Sequence, residues 1–146
     1  MPDIAVRTAE PAHLDGILEL WRAAAHRRSA TDNTESLAVV LDHPNATVLV
    51  VLDGDTVVGS ALPAWDGWRG TVYRVVVHPR RLEQEEIGLA LIAAAVRWLR
   101  RLGVATVSAP VGDTVDAQRL WKRAGFRHDT RTHRFVQDIN TDGDKR

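Results

Sequence analysis

A charged loop between a strand-like segment and a helix-like segment carries the clearest chemical signal in the sequence. The segment Thr71–Val77 is rich in β-forming residues, Pro79 follows it, and a long helical stripe starts at Ile87. A loop at a helix N-terminus exposes free backbone amides and the positive end of the helix dipole, which suits a phosphate group. The sequence therefore indicates an anion-binding loop, although a strand, a loop and a helix in succession are a weak signal alone.

The composition excludes several other kinds of site. The 146 residues include no cysteine, which excludes disulfides, thiolate metal sites and a cysteine nucleophile. Lysine plus arginine is 19 and aspartate plus glutamate is 19, so the charge gives no reason to expect nucleic acid or an anionic membrane as partner. The histidines lack metal-ligand spacing, and neither a nucleophile elbow nor a Walker loop is present. We therefore expect no metal site.

Local patterns predict a single α+β domain over residues 1–140 and a polar tail at 141–146. Strand signals fall at Ile4–Arg7, Val48–Leu52, Thr56–Leu62, Thr71–Val77, Val104–Ala109, Phe126–His128 and Arg134–Ile139. Helical spacing falls at Pro11 to about His26, Ser36–Leu41, Ile87–Leu102 and Val115–Arg123. Asp32 or Thr34 is the expected N-cap of the second helix. The predicted order is βααβββαβαββ around a mixed sheet.

The location follows from two further patterns. No apolar run approaches the roughly 20 residues of a membrane span. The N-terminus lacks a basic stretch followed by an apolar one, so it does not resemble a signal peptide. We expect a cytoplasmic protein.

Four segments together resemble the GNAT superfamily of N-acetyltransferases. Tyr73–Pro79 is similar to the family's cofactor strand, and Ile87–Ile92 to the start of its cofactor helix. Ala117–Phe126 resembles a second family segment, in which an aromatic residue precedes a Gly-Phe pair. Asp66–Gly70 is similar to the Asp-Gly-x-Arg-Gly turn of one branch of the superfamily. The resemblance spans nearly the whole chain.

The resemblance implies a V-splayed sheet that binds acetyl-CoA. The cofactor would lie where the strand at Val72–Val77 splays from the strand at Val104–Ala109. Backbone groups of the first strand would bind the pantetheine arm, and amides of the loop would hold the pyrophosphate. The cofactor-binding residues implied in this way are Val75, Val76, Val77, Arg80, Arg81, Glu83, Glu86, Ile87, Gly88 and Leu89.

The implied activity is direct transfer of an acetyl group from acetyl-CoA to a primary amine of a small molecule or a protein. An amide near Val75 would polarise the thioester carbonyl. Water near Tyr73 or Asp66 would carry the proton from the acceptor ammonium, and Trp121 would flank the thioester. The acceptor groove would draw on Arg22, His26, Arg27, Arg28, Asp32, Glu35, Trp65, Asp66 and Trp68. The resemblance also allows a homodimer.

The pyrophosphate loop departs from the family pattern. Glu83 stands at the family's Gln or Arg position, Glu86 at its first glycine, and Glu85 between them. Each carboxylate close to a pyrophosphate charge repels it by about 1 kcal/mol in water. The loop therefore predicts weak CoA binding. It leaves open a binding module without catalysis, or an enzyme with altered cofactor chemistry, as alternatives to the acyltransferase.

Each candidate site residue also has a purely structural interpretation. Gly88 would allow close packing of its helix on a strand. The loop glutamates would complement the helix dipole in solvent. Trp121 would be a core residue, and Asp66 with Arg69 would fix the turn by hydrogen bonds. These interpretations stay open on the sequence alone.

Overall fold

The computed structural model describes residues 4–24 and 27–139. The strands are β1 (Arg7–Thr8), β2 (Leu49–Asp53), β3 (Thr56–Trp65), β4 (Gly70–Val77) and β5 (Val107–Ser108). The helices are α1 (Leu14–Ala23), which follows a 3-10 turn at Pro11–His13, α2 (Thr34–Asp42), α3 (Gln84–Arg101) and α4 (Val115–Arg123). The predicted order of elements therefore holds from the first strand through the last helix.

The five strands form one mixed sheet in the order β1-β2-β3-β4-β5. Neighbours are antiparallel from β1 to β4, and β5 runs parallel to β4. The predicted β2–β3 hairpin turns at Gly54, whose φ of 61° glycine adopts without steric penalty. Within the described residues, β4 and β5 are paired only at Gly70–Val107 and Thr71–Ser108. The two strands separate beyond that point, which gives the predicted V-shaped opening.

The sheet separates two apolar clusters. One contains α3 and the buried tryptophan of α4, and the other contains α1 and α2. The helical stripe from Ile87 to Leu102 predicts that α3 packs on the sheet through Leu91, Ala95, Trp98 and Leu102. Leu91 and Ala95 are fully buried, whereas Trp98 and Leu102 are half-buried. Leu99, another residue of the stripe, is fully buried, and so is Ile92 beside it. Burial on both faces fixes the central strands, which position the site.

Several predicted boundaries change at the N-terminal end. Asn33, and neither Asp32 nor Thr34, caps α2, because its side chain accepts a hydrogen bond from the Ser36 amide at 2.7 Å. The first strand forms at Arg7–Thr8, where it pairs with β2, rather than at Ile4–Arg7. The helix α1 ends at Ala23. The predicted end of this helix at about His26 falls on residues outside the described ones, as does the polar tail at 141–146.

The two last predicted strands do not form. Phe126–His128 and Arg134–Ile139 have no strand conformation, and Phe135 and Ile139 are 93% and 83% exposed. Strand propensity reflects how well a side chain fits a half-buried pleated surface, and is not a backbone preference in itself. Side chains that cover no apolar surface gain little from strand pairing, so β-forming residues alone were a misleading signal here.

In the described part of the chain, no helix combines the length and the apolar character that a membrane crossing requires.

Candidate functional site

A β-bulge interrupts β4 close to where it leaves β5. Ser60 of β3 pairs with Val76, and Leu62 pairs with Tyr73. One residue of β3, Ala61, therefore faces two residues of β4, Arg74 and Val75. An extra residue of this kind bends a strand and redirects its side chains, and bulges are common beside active sites.

The bulge reverses the faces of β4. Before it, Val72 packs in the apolar cluster on the α3 side of the sheet. After it, Val75 and Val77 pack against that cluster, whereas Val76 is buried in the cluster on the α1 side. A shift of one residue exchanges the two faces of a strand because side chains alternate with a period of two. The three valines predicted to bind the pantetheine arm thus lie directly after the reversal.

Tyr73 and Arg74 lie on the same face as a result. Tyr73 pairs with Leu62, which packs against the α1-side cluster, and the Arg74 guanidinium lies over the Trp21 ring of α1. Alternation along a regular strand predicts that Tyr73 and Arg74 point to opposite sides of the sheet; that prediction is wrong here, because the bulge breaks the alternation between them. Tyr73 is 39% exposed and so is accessible to a substrate.

Arg74 holds an unfavourable backbone conformation. Its φ is 51°, the only positive φ of a non-glycine residue in the described ranges. This left-handed region costs an L-residue about 1–2 kcal/mol. Such strain persists only where surrounding groups hold it, and it clusters at functional sites.

Contacts from three other elements hold Arg74. The Ser60 hydroxyl, fully buried on β3, donates to the Arg74 carbonyl at 2.8 Å and accepts from the Trp21 indole N–H at 2.9 Å. Nη1 of Arg74 lies 3.1 Å from both carboxylate oxygens of Asp32, in the α1–α2 loop. The Arg74 Cζ atom lies 4.6 Å from the Trp21 ring centroid.

The start of α3 differs from the starts of α2 and α4. Asn33 and Thr114 cap those two helices with side-chain hydrogen bonds, whereas Glu83, at the N-cap of α3, makes none. The first amides of a helix have no partner within the helix. The N-cap side chain therefore does not satisfy the first amides of α3, from Gln84 onward.

Arginines neutralise two of the three loop glutamates. Arg81 pairs with Glu83 at 3.2 Å, and Arg123 of α4 pairs with Glu85 at 2.7 Å. Arg81 also pairs with Asp53 at 2.7 Å, so its charge is already shared between two carboxylates. Among the residues described, Arg80 and Glu86 form no ion pair. The loop is less repulsive to phosphate than its sequence suggests.

The predicted contacts at the start of α3 are largely packing contacts. A Cβ atom added to Gly88 would lie 2.9 Å from a methyl carbon of Leu120, so this glycine allows α3 to approach α4. Ile87 is 2% exposed and belongs to the core, and Leu89 is half-buried. The structural interpretation thus explains Gly88 without a bound cofactor, although the contact is with a helix rather than a strand.

Trp121 is a core residue. Its side chain is 8% exposed and meets the Phe126 ring edge-on, with centroids 4.8 Å apart at an interplanar angle of 87°. It is the one buried residue of α4. Its predicted position beside a thioester stays a prediction.

Asp66 fixes the β3–β4 turn. Its carboxylate accepts hydrogen bonds from the backbone amides of Arg69 and Trp68, each at 2.8 Å. These bonds, above all that of Arg69, lower the pKa of Asp66 below its ordinary value of 3.8. A lowered pKa makes the carboxylate a weaker base, so the turn-fixing interpretation has structural support and the proton-transfer role does not.

Sequence reasoning missed the residues that hold the bulge. The only sequence signal at Ser60 is that it is a polar residue within the apolar run of β3; its complete burial is seen only in the structure. The helical spacing of the segment that forms α1 indicates that Trp21 is a core residue, without indicating its hydrogen bond to Ser60. Arg74 carried no local signal, because an arginine in a strand gives no indication of a positive φ.

The fold and the open, bulged strand place the chain among acetyltransferases. The family model described as the acetyltransferase (GNAT) family matches residues 14–126, and the chain belongs to this family. No curated protein matches the sequence.

Solved structures share the fold at low sequence identity. The PaiA N-acetyltransferase of Thermoplasma acidophilum, solved with coenzyme A, has a TM-score of 0.74 at 14% identity, over 88% of this chain and 92% of that one. An aminoglycoside 6'-N-acetyltransferase of Acinetobacter haemolyticus has a TM-score of 0.72 at 17% identity, over 94% and 100%. A transcriptional regulator of Bacillus halodurans has a TM-score of 0.71 at 16% identity, with the same coverage.

Proposed function

We propose that the protein is an acyl-CoA-dependent N-acyltransferase, which transfers an acetyl group from acetyl-CoA directly to a primary amine of a small molecule or a protein. The observation that carries the proposal is the separation of β4 from β5 directly before the bulge of β4. Family membership supplies the reaction class.

The residues present fit an acyl-CoA. Past Thr71, β4 has separated from β5, so the stretch Val75–Val77 offers backbone groups for a pantetheine arm. The uncapped amides at the start of α3 would hold the pyrophosphate, and Arg80 would add a positive charge. Glu86 is the residue that fits least, because no cation neutralises it in the described residues. We infer weak binding of CoA for this reason.

The chemistry assigned to the chain is binding, orientation and polarisation. The Val75 amide would donate to the thioester carbonyl and stabilise the negative charge that develops on its oxygen during attack by the amine. Holding the amine and the thioester side by side would supply much of the acceleration. The acceptor would attack as the neutral amine, so its ammonium must first lose a proton. Water held by the exposed Tyr73 hydroxyl would carry that proton to solvent. As the C–N bond forms and the C–S bond breaks, the second proton lost by the nitrogen would go to the departing sulfur, which leaves as the CoA thiol.

An amine screen tests the proposed function. The protein is incubated with acetyl-CoA and a panel of primary amines, including aminoglycosides, polyamines and lysine peptides, and release of the CoA thiol is measured. We expect release that depends on one class of amine. With that amine, Tyr73→Phe should lower kcat and leave CoA affinity unchanged. Binding of CoA without release for any amine would instead favour the binding module without catalysis.

A further inference from the structure

We propose that Trp21, Ser60 and Asp32 form a clamp that holds Arg74 in its left-handed conformation, and that Ser60 and Arg74 are positioning residues of the cofactor strand. The inference rests on the proposed function, because the groups positioned are the Val75 amide and the Tyr73 hydroxyl. The three clamp residues come from three different elements: α1, β3 and the α1–α2 loop.

The clamp acts on both the backbone and the side chain of Arg74. The buried Ser60 hydroxyl fixes the carbonyl oxygen of Arg74, which belongs to the same peptide unit as the Val75 amide. Orienting that carbonyl therefore orients the amide. The Trp21 indole N–H fixes the Ser60 hydroxyl in turn, which leaves the hydroxyl proton for the Arg74 carbonyl. The indole N–H, the hydroxyl and the carbonyl therefore all have hydrogen-bond partners in the core, where an unpaired polar group is costly.

The side chain of Arg74 ties the bulge to the α1–α2 loop. Arg74 and Asp32 are 17% and 12% exposed at their side chains, so their ion pair is largely shielded from solvent. Asp32 also accepts hydrogen bonds from the Ser29 amide and hydroxyl, each at 3.1 Å, and these bonds order the loop around the pair. Arg74 thus connects the α1–α2 loop, which would border the acceptor, to β4, which would bind the cofactor.

A bulge without this clamp could relax by a shift of one residue. Such a shift would return β4 to regular pairing with β3 and exchange the faces of the residues beyond it. The Val75 amide would then enter the ladder and no longer face a thioester. The clamp prevents this shift, because Ser60 bonds Arg74 only in the bulged arrangement.

The ratio of the dissociation constants of CoA and acetyl-CoA tests the clamp. The two ligands differ only in the acetyl group, which replaces the thiol hydrogen of CoA. A general defect in the fold therefore weakens both, whereas a misplaced Val75 amide weakens acetyl-CoA alone, because only acetyl-CoA has the thioester carbonyl. In Ser60→Ala, we expect the affinity for acetyl-CoA to fall about three- to tenfold relative to the affinity for CoA. A factor of this size corresponds to the loss of one neutral hydrogen bond. Asp32→Asn should shift the ratio in the same direction by a smaller factor, because Asp32 holds the side chain of Arg74 and not the carbonyl that shares a peptide unit with the Val75 amide. Glu19→Gln, which breaks the exposed Arg22–Glu19 pair of α1, is the matched control and should leave the ratio unchanged.

Two substitutions of Arg74 provide the sharpest comparison. Both Arg74→Ala and Arg74→Gly remove the ion pair, but only glycine adopts a positive φ without cost. We expect the ratio in Arg74→Gly to lie closer to that of the wild type than the ratio in Arg74→Ala, the reverse of the usual order in a strand. An alanine variant closer to the wild type, or ratios unchanged in Ser60→Ala and Asp32→Asn, would overturn the clamp alone. Failure of the wild type to bind either ligand would overturn the clamp and the proposed function together.

Discussion

The bulge of β4 and the loop before α3 are both assigned to acyl-CoA, and they are held by opposite means. At the bulge, the contacts are buried: Ser60 is fully enclosed, and the Arg74–Asp32 pair is largely shielded. At the loop, the Arg123–Glu85 pair is about half exposed, at 58% and 43%. Buried polar groups cost about 1–3 kcal/mol when they lose a partner. Exposed ion pairs contribute about 0–1 kcal/mol and weaken in salt. We therefore expect the bulge to fix geometry and the loop to affect CoA affinity through its charge.

Among the buried side chains, we expect the largest effect on stability at Trp121. Trp121→Ala should lower the free energy of unfolding by about 3–5 kcal/mol, as for other large aromatic side chains removed from a core. Denaturant unfolding measures the change. Phe135→Ala is the control and should have almost no effect, because Phe135 is 93% exposed. A small change in stability together with a clear loss of CoA affinity would show that Trp121 lines an open cleft.

Ser60→Ala should have the next largest effect. The change leaves both the Trp21 indole N–H and the Arg74 carbonyl without their partner, so we expect a loss of about 1–3 kcal/mol in unfolding free energy. Ser108→Ala, at an exposed serine of β5, should be nearly neutral. If the two serine variants were equally stable, the buried hydroxyl would not hold the bulge, and the contrast between bulge and loop would disappear.

The loop is tested by a change of charge. Glu86→Gly combined with Glu83→Arg should tighten CoA binding at least about tenfold, or 1.4 kcal/mol, because it removes a side chain and changes the local charge by about three units. The gain should shrink at high salt, since exposed charges are screened over about 10 Å at 0.1 M. Glu19→Arg combined with Asp42→Asn is the control, with the same change of net charge on α1 and α2. An equal gain in the control would mean that net charge, and not the loop, sets the affinity.

The smallest effect is expected at Asp66, in the turn that begins at the end of β3. Its bonds to the Arg69 and Trp68 amides hold its pKa below 3.8, and these bonds are absent in the unfolded chain. The stabilisation they give is therefore complete above the unfolded pKa and is lost as the pH falls through the lower folded pKa. In Asp66→Asn, the free energy of unfolding should therefore fall less steeply with decreasing pH than it does in the wild type. Carboxyl titration by NMR at or above 3.8 would contradict the assignment.

The elements predicted from the sequence are those with local signals. The hairpin at Gly54 and the stripe of α3 follow from turn chemistry and helical periodicity, and both are present. The strand predicted at Arg134–Ile139 also contains β-forming residues, but it does not form, and its large apolar side chains are exposed rather than packed against another element. A local pattern indicates which helix or strand a segment can form. Whether that element forms depends on the surface against which it can pack.

The candidate site was predictable in position but not in detail. The spacing of the family motif predicted the position of the residues from Tyr73 to Gly88, because that spacing follows the order of strand, loop and helix along the chain. The bulge at Arg74 depends on Ser60 and Asp32, 14 and 42 residues away in sequence. The pairing of Glu85 with Arg123 likewise depends on the approach of α4 to α3. Contacts between distant segments decide these details, and the spacing of residues within one segment does not contain them.

Calorimetric titration of the wild-type protein with CoA tests the central claim most directly. We expect saturable binding of one CoA per chain, with a dissociation constant in the high-micromolar range or weaker, because Glu86, which forms no ion pair with any described residue, opposes the amides of α3. Tight binding would show that the loop carboxylates point away from the phosphates and that the charge argument is wrong. No saturable heat from the wild type, or from the variant with Glu86→Gly and Glu83→Arg, would contradict the assignment of this site to acyl-CoA.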